Sequence, residues 1–88
     1  MIRKKIVITN KMGMHARPAQ MIVKAATQYR SEFKIAKDDI EINGKSIMGV
    51  MTLAAEYGST LELIADGVDE EYLIKEIEEL FASKFGEE

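Results

Sequence analysis

Gly13-Met14-His15-Ala16-Arg17-Pro18-Ala19 is the stretch on which the reading of this chain turns. It carries the only histidine and the only proline in 88 residues, and it lies where one hydrophobic period gives way to another. Upstream, Ile2, Ile6 and Ile8 share one face of an extended chain, so residues 2–9 read as a strand. Residues 10–14 carry turn chemistry around Gly13. Downstream, Ala19, Ile22, Val23 and Ala26 recur at helical spacing opposite Gln20, Lys24, Thr27 and Gln28, which predicts a helix over 16–29. Pro18 suits its first turn, where no intrahelical amide bond is lost and the fixed φ favours helix geometry.

Working outward, Phe33 and Ile35 alternate within residues 32–37, and Ile40 with Ile42 resumes the alternation after Asp38-Asp39, as in a hairpin. Asn43-Gly44 ends that run, and Ser46 is placed to cap an apolar helix over 47–55. On that helix Val50, Leu53 and Ala54 gather on one side and Ile47, Met48 and Met51 on another. A domain this small cannot bury both, so one apolar face is expected at the surface. Residues 60–66 form a fourth strand with Leu61, Leu63 and Ala65 inward. From Asp69 onward Leu73, Ile77, Leu80, Phe81 and Phe85 make a helical stripe with Lys84 in its last turn, and Gly86-Glu87-Glu88 is expected to fray. Four alternating segments with helices between them favour an α+β layer: an antiparallel sheet covered by helices. A parallel crossover between the first two strands, or a ferredoxin-like topology, fits the same order, so pattern alone leaves the strand order open.

Composition narrows the function. A chain of 88 residues is expected to make a single domain, 1–88. It has no cysteine, so neither disulfides nor thiolate metal sites are available, and no apolar run is long enough for a membrane helix. A cytoplasmic protein is the default expectation, with no metal, no cofactor and no membrane association. The net charge of −3 removes the usual electrostatic reason to expect nucleic-acid binding.

A lone histidine is ordinarily a surface or capping residue, but this one has an informative setting. At a helix N-terminus, free amides and the positive end of the helix dipole favour an anion and disfavour the imidazolium. The ring is expected to stay neutral, with a nucleophilic nitrogen that gains from negative charge arriving on it. Arg17 adds a planar set of donors suited to phosphate oxygens. With no second histidine, no cysteine and no clustered carboxylates nearby, a metal site or hydrolytic triad lacks partners. Those features together suggest a phosphohistidine that is formed and passed on.

The heptapeptide resembles the active-site motif of the HPr family, the histidine-containing phosphocarriers of the bacterial sugar phosphotransferase system. The resemblance continues through Lys45-Ser46-Ile47-Met48-Gly49-Val50-Met51-Thr52-Leu53, which is similar to the family's regulatory serine segment, and it spans essentially the whole chain. It implies an open-faced β-sandwich of βαββαβα order, with a four-stranded antiparallel sheet and three helices on one face. It further implies that His15 accepts a phosphoryl group on Nδ1 from enzyme I and donates it to sugar-specific IIA components. In that role Arg17 steadies the phosphoryl group, Pro18 fixes the helix start, and the amides of Ala16 and Arg17 receive its oxygens. The protein would act as a carrier and a monomer, without being a stand-alone enzyme.

The same resemblance makes Ser46 a substrate of HPr kinase/phosphorylase, although a serine there is also a plain N-cap. Ile47, Met48 and Met51 become a docking patch for enzyme I, the IIA components, the kinase and a catabolite-control repressor. Lys11, Lys24 and Lys45 would supply a basic rim. Two departures stand out: Met14 replaces the family's commoner Leu or Ile, a volume-conserving change, and Ala54-Ala55-Glu56-Tyr57 replaces a small, Gly-containing stretch. The second is expected to lengthen the short helix or alter the surface a repressor would meet. Alternatives are a nitrogen-branch relative, which the Ser46 segment argues against, a mainly regulatory relative, and a small binding module in which His15 is only a cap.

Overall fold

In the computed structural model, which describes residues 1–87, the alternating segments pair into one sheet. Strands β1 (Ile2–Val7), β2 (Glu32–Lys37), β3 (Ile40–Asn43) and β4 (Thr60–Asp66) lie in the order β1-β4-β2-β3. Every neighbouring pair is antiparallel, so β1 and β2 run parallel on either side of β4, and the crossover between the first two strands is present in split form, with β4 between them. Helices α1 (Ala16–Ala26), α2 (Ile47–Thr52) and α3 (Glu70–Ala82) fall between or after the strands in βαββαβα order. The result is an α+β open-faced sandwich.

Register accounts for the face the helices cover. Phe33 sits opposite Ala65, Ile35 opposite Leu63 and Ile6 opposite Leu61, so one set of alternate positions forms an apolar floor. Against it pack Ala19, Ile22 and Ala26 of α1, Val50 of α2, and Leu73, Ile77 and Phe81 of α3, all buried in one cluster. Each wholly buried Leu, Ile or Phe contributes about 1.5–3 kcal/mol, whereas exposed pairs such as Arg3–Glu62 (3.2 Å) and Lys34–Glu41 (3.6 Å) contribute roughly 0–1 kcal/mol each. The seam between sheet and helices therefore holds the fold together.

Four boundaries depart from the hydrophobic pattern: β1 ends at Val7 rather than 9, and three helix ends each have a local cause. Helix α1 ends at Ala26 rather than 29 because the amides of Gln28 and Tyr29 tighten onto carbonyls three residues back. Asp69 then captures the next amides, Arg30 at 2.8 Å and Ser31 at 2.9 Å. Helix α2 stops at Thr52, with Ala54 at φ +50°, so the departure at Ala54-Ala55-Glu56-Tyr57 does not lengthen it. Beyond α3, Lys84, Phe85 and Gly86 all take left-handed φ (+55°, +56° and +73°), placing Lys84 outside the helix and turning the chain back in a 3-10 turn, Lys84–Gly86. Phe85 is thereby wholly buried, edge-on to Phe81 at 4.9 Å. The expected fraying is wrong for Glu87, which is partly buried and hydrogen-bonded; Glu88 lies outside the described residues.

Candidate functional site

The loop before α1 is built to present one side chain. Gly13 has φ +71°, and a Cβ there would lie 2.8 Å from the carbonyl oxygen of Ala55, so both conformation and space require glycine. The Met14 amide donates to that same oxygen at 2.8 Å. Asn10 closes the loop: its carbonyl accepts from the Gly13 amide at 3.0 Å and its Nδ2 donates to the Gly13 carbonyl at 2.8 Å. With Met14 in the core at 6% exposure, His15 is turned out to the partly exposed rim.

His15 occupies the N-cap of α1 with extended backbone, and its side chain makes no capping bond. Its carbonyl accepts from the Ala19 amide at 3.1 Å, while Pro18 and Ala19 are buried beneath it. Ala16 and Arg17 begin the first turn, where amides have no intrahelical acceptor. Both residues are exposed. The Arg17 guanidinium runs beside the 3-10 turn, since a Cβ on Gly86 would stand 3.7 Å from Nη2.

The ring of His15 meets a partner absent from the sequence reading. Its Nε2 lies 2.7 Å from Glu87 Oε2, and Glu87 Oε1 accepts from Asn10 Nδ2 at 3.0 Å. An ionised carboxylate can only accept, so Nε2 carries the hydrogen in this contact, and a ring with one proton has its lone pair on Nδ1. Burial works to raise the Glu87 carboxyl. Hydrogen bonds from Asn10 and His15, with the positive charges of His15 and Arg17, outweigh it and hold the carboxyl below its ordinary range.

The second motif is joined to the first through α2. That helix packs against α1, and Ala55 just beyond it anchors the His15 loop. Ser46 is the N-cap of α2, its Oγ accepting from the Gly49 amide at 3.1 Å. Val50 and Leu53 are buried, whereas Ile47, Met48 and Met51 are 40%, 81% and 42% exposed. Lys11 and Lys24 are exposed, but Lys45 Nζ donates to the Tyr29 carbonyl at 2.8 Å and so ties the start of α2 to the end of α1.

His15, Arg17, Pro18 and Ser46 stand at the helix starts where the sequence puts them, whereas the contacts of Asn10 and Glu87 at the His15 loop are not foreseen in it. Asn10 had a usable signal, an amide side chain inside a glycine turn. Glu87 had none, because a charged residue beside Gly86 reads as a solvated tail until Phe85 is known to be anchored. Among the described residues no group of three or more His, Cys, Asp or Glu could hold a metal, and no helix is long and apolar enough to cross a membrane.

Comparisons with known proteins agree with this geometry. Residues 2–83 match the family described as PTS HPr component, phosphorylation site. The chain is 48% identical over its full length, and that of the relative, to the phosphocarrier protein HPr of Treponema pallidum. Among solved structures it is similar to HPr of Thermoanaerobacter tengcongensis, with a TM-score of 0.96, 45% identity, and coverage of 100% of this chain and 99% of that one. It is also similar to Crh, a catabolite-repression protein of Bacillus subtilis solved as a domain-swapped dimer, with a TM-score of 0.76, 34% identity, and coverage of 96% and 97%.

Proposed function

Because the chain belongs to the HPr family of the phosphotransferase system, we propose that His15 accepts a phosphoryl group from phosphorylated enzyme I and passes it to sugar-specific IIA components. The observation that carries this reading is the His15 ring itself, set at the start of α1 with Nε2 bonded to Glu87. In-line attack by the Nδ1 lone pair forms an N–P bond as the donor's bond to phosphorus breaks. Two free amides at Ala16 and Arg17 and the Arg17 guanidinium are the groups at hand to receive the phosphoryl oxygens. Pro18 keeps that first turn in place.

Ser46 is the regulatory position in this reading, phosphorylated by HPr kinase/phosphorylase. A phosphate on a residue that already caps α2 gains from the local amides, so it acts by adding negative charge to the docking face with little refolding. Ile47, Met48 and Met51, with Lys24 and Lys45 at the margin, form the face that enzyme I, the IIA components, the kinase and a catabolite-control repressor would share. The carrier works in the cytoplasm as a single-domain monomer. Sedimentation at working concentrations tests the monomer, and a dimer like that of the Crh relative would count against it.

The direct experiment mixes the chain with phosphoenolpyruvate, magnesium and enzyme I. An acid-labile, base-stable phosphate that disappears in His15→Ala supports the reading, and no such phosphate on the parent chain rejects it. The similarity to Crh supports a second reading, a mainly regulatory relative. Label on Ser46 from ATP and kinase, lost in Ser46→Ala, with none on His15 would favour it.

A further inference from the structure

The segment after α3 is strained, anchored and aimed. Two successive non-glycine residues, Lys84 and Phe85, take left-handed φ before Gly86, a conformation that persists only where surroundings enforce it. Here the enforcement is visible: Phe85 is 0% exposed, its ring edge-on to Phe81, and the Gly86 and Glu87 amides bond back to Ser83 and Lys84. The hook delivers Glu87 onto His15, 72 positions away in sequence, and Asn10 Nδ2 grips the other carboxylate oxygen. A solvated tail needs neither the strain nor the second grip.

We propose that Glu87 is a positioning residue for phosphoryl transfer: it holds His15 as the Nε2–H tautomer so that Nδ1 is the nucleophile, and the Phe85 hook sets it in place. The inference rests on the phosphocarrier reading and deepens it. In the step, the Nδ1 lone pair forms the N–P bond while the donor's bond to phosphorus breaks and its electron pair leaves with the donor atom. Nε2 keeps its proton, so the product ring is an N-phosphoimidazolium whose positive charge faces the Glu87 carboxylate. When the group is passed on, the N–P electrons return to Nδ1 and the ring is neutral again with the same tautomer. Glu87 therefore serves acceptance and donation without exchanging a proton. The surrounding charge suits this role, for the Arg17 guanidinium also favours the ionised Glu87 carboxylate.

The test uses the full chain with a nitrogen-15-labelled histidine ring. In the parent at alkaline pH, long-range proton–nitrogen spectra should show the Nε2–H form alone. In Glu87→Ala the Nδ1–H form should become detectable, and the initial rate of phosphorylation by enzyme I should fall by about tenfold, the scale of losing one charge-assisted hydrogen bond. Glu87→Gln keeps an acceptor and should retain the tautomer while losing rate. A Glu87→Ala protein with unchanged tautomer, or with unchanged rate, overturns the proposal. If the parent itself takes up no phosphate, the phosphocarrier reading falls and this inference falls with it.

Discussion

His15 has two ring nitrogens, and they meet different surroundings: Nε2 is bonded to Glu87, while the ring makes no capping bond to its own helix. That asymmetry is the chemical content of the site. Arg17 belongs to the same scale. It is exposed and forms no ion pair among the described residues, so its removal should cost within about 0.5 kcal/mol of stability. Arg17→Ala should therefore unfold at the parent's temperature, yet transfer phosphate roughly a hundredfold more slowly, the usual loss when one oxyanion donor goes. Stopped-flow or quenched-flow transfer beside a thermal melt separates the two. A large loss of melting temperature with normal transfer would reverse the assigned role. His15, Arg17 and Pro18 were legible in the sequence because each residue type has a physical reason to stand at a helix start. Glu87 was illegible because its position depends on a contact made 72 positions away in sequence.

At the scale of elements, the joint between α1, β2 and α3 turns on Asp69. It precedes α3 without making a side-chain cap there; its carboxylate instead accepts from the Ser31 hydroxyl and from the Arg30 and Ser31 amides. The Ser31 hydroxyl first, and the Arg30 amide next, lower its carboxyl from 3.8 to about 2. A depressed carboxyl stabilises the fold at pH values above its unfolded value, and that contribution is lost as pH falls through the folded one. Asp69→Asn should melt below the parent at pH 7, and the gap should close between about pH 4 and about pH 2. Melts across that range check it, and a gap independent of pH would contradict the bonding described. The strands 32–37 and 60–66 were readable to the residue because Phe33 with Ile35, and Leu61, Leu63 and Ala65, mark one face between polar ends. The ends of α1, α2 and α3 were not, since each is set by a tertiary hydrogen bond or a left-handed turn that hydrophobic periodicity does not register.

For the whole molecule, the loop before α1 is joined to the chain just beyond α2 by the Met14–Ala55 hydrogen bond, and α1 and α2 pack together on the helical layer. Strand order itself was not recoverable from pattern, because alternation marks a buried face and says nothing of which strand lies beside which. The surplus apolar face was recoverable, and Met48 is its most exposed member at 81%. Met48→Glu should leave the melting temperature unchanged and weaken binding to enzyme I by about thirtyfold, the cost of one interface hot spot. Titration calorimetry reads it, and unaltered affinity would remove Met48 from the docking face.

The central claim is that one nitrogen of one residue carries the phosphoryl group. Nitrogen-15 spectra of the chain phosphorylated by enzyme I test it most directly. Phosphorus coupling at Nδ1 of His15, with Nε2 still protonated, is the predicted result. Phosphorus at Nε2, or on any residue other than His15, would contradict it.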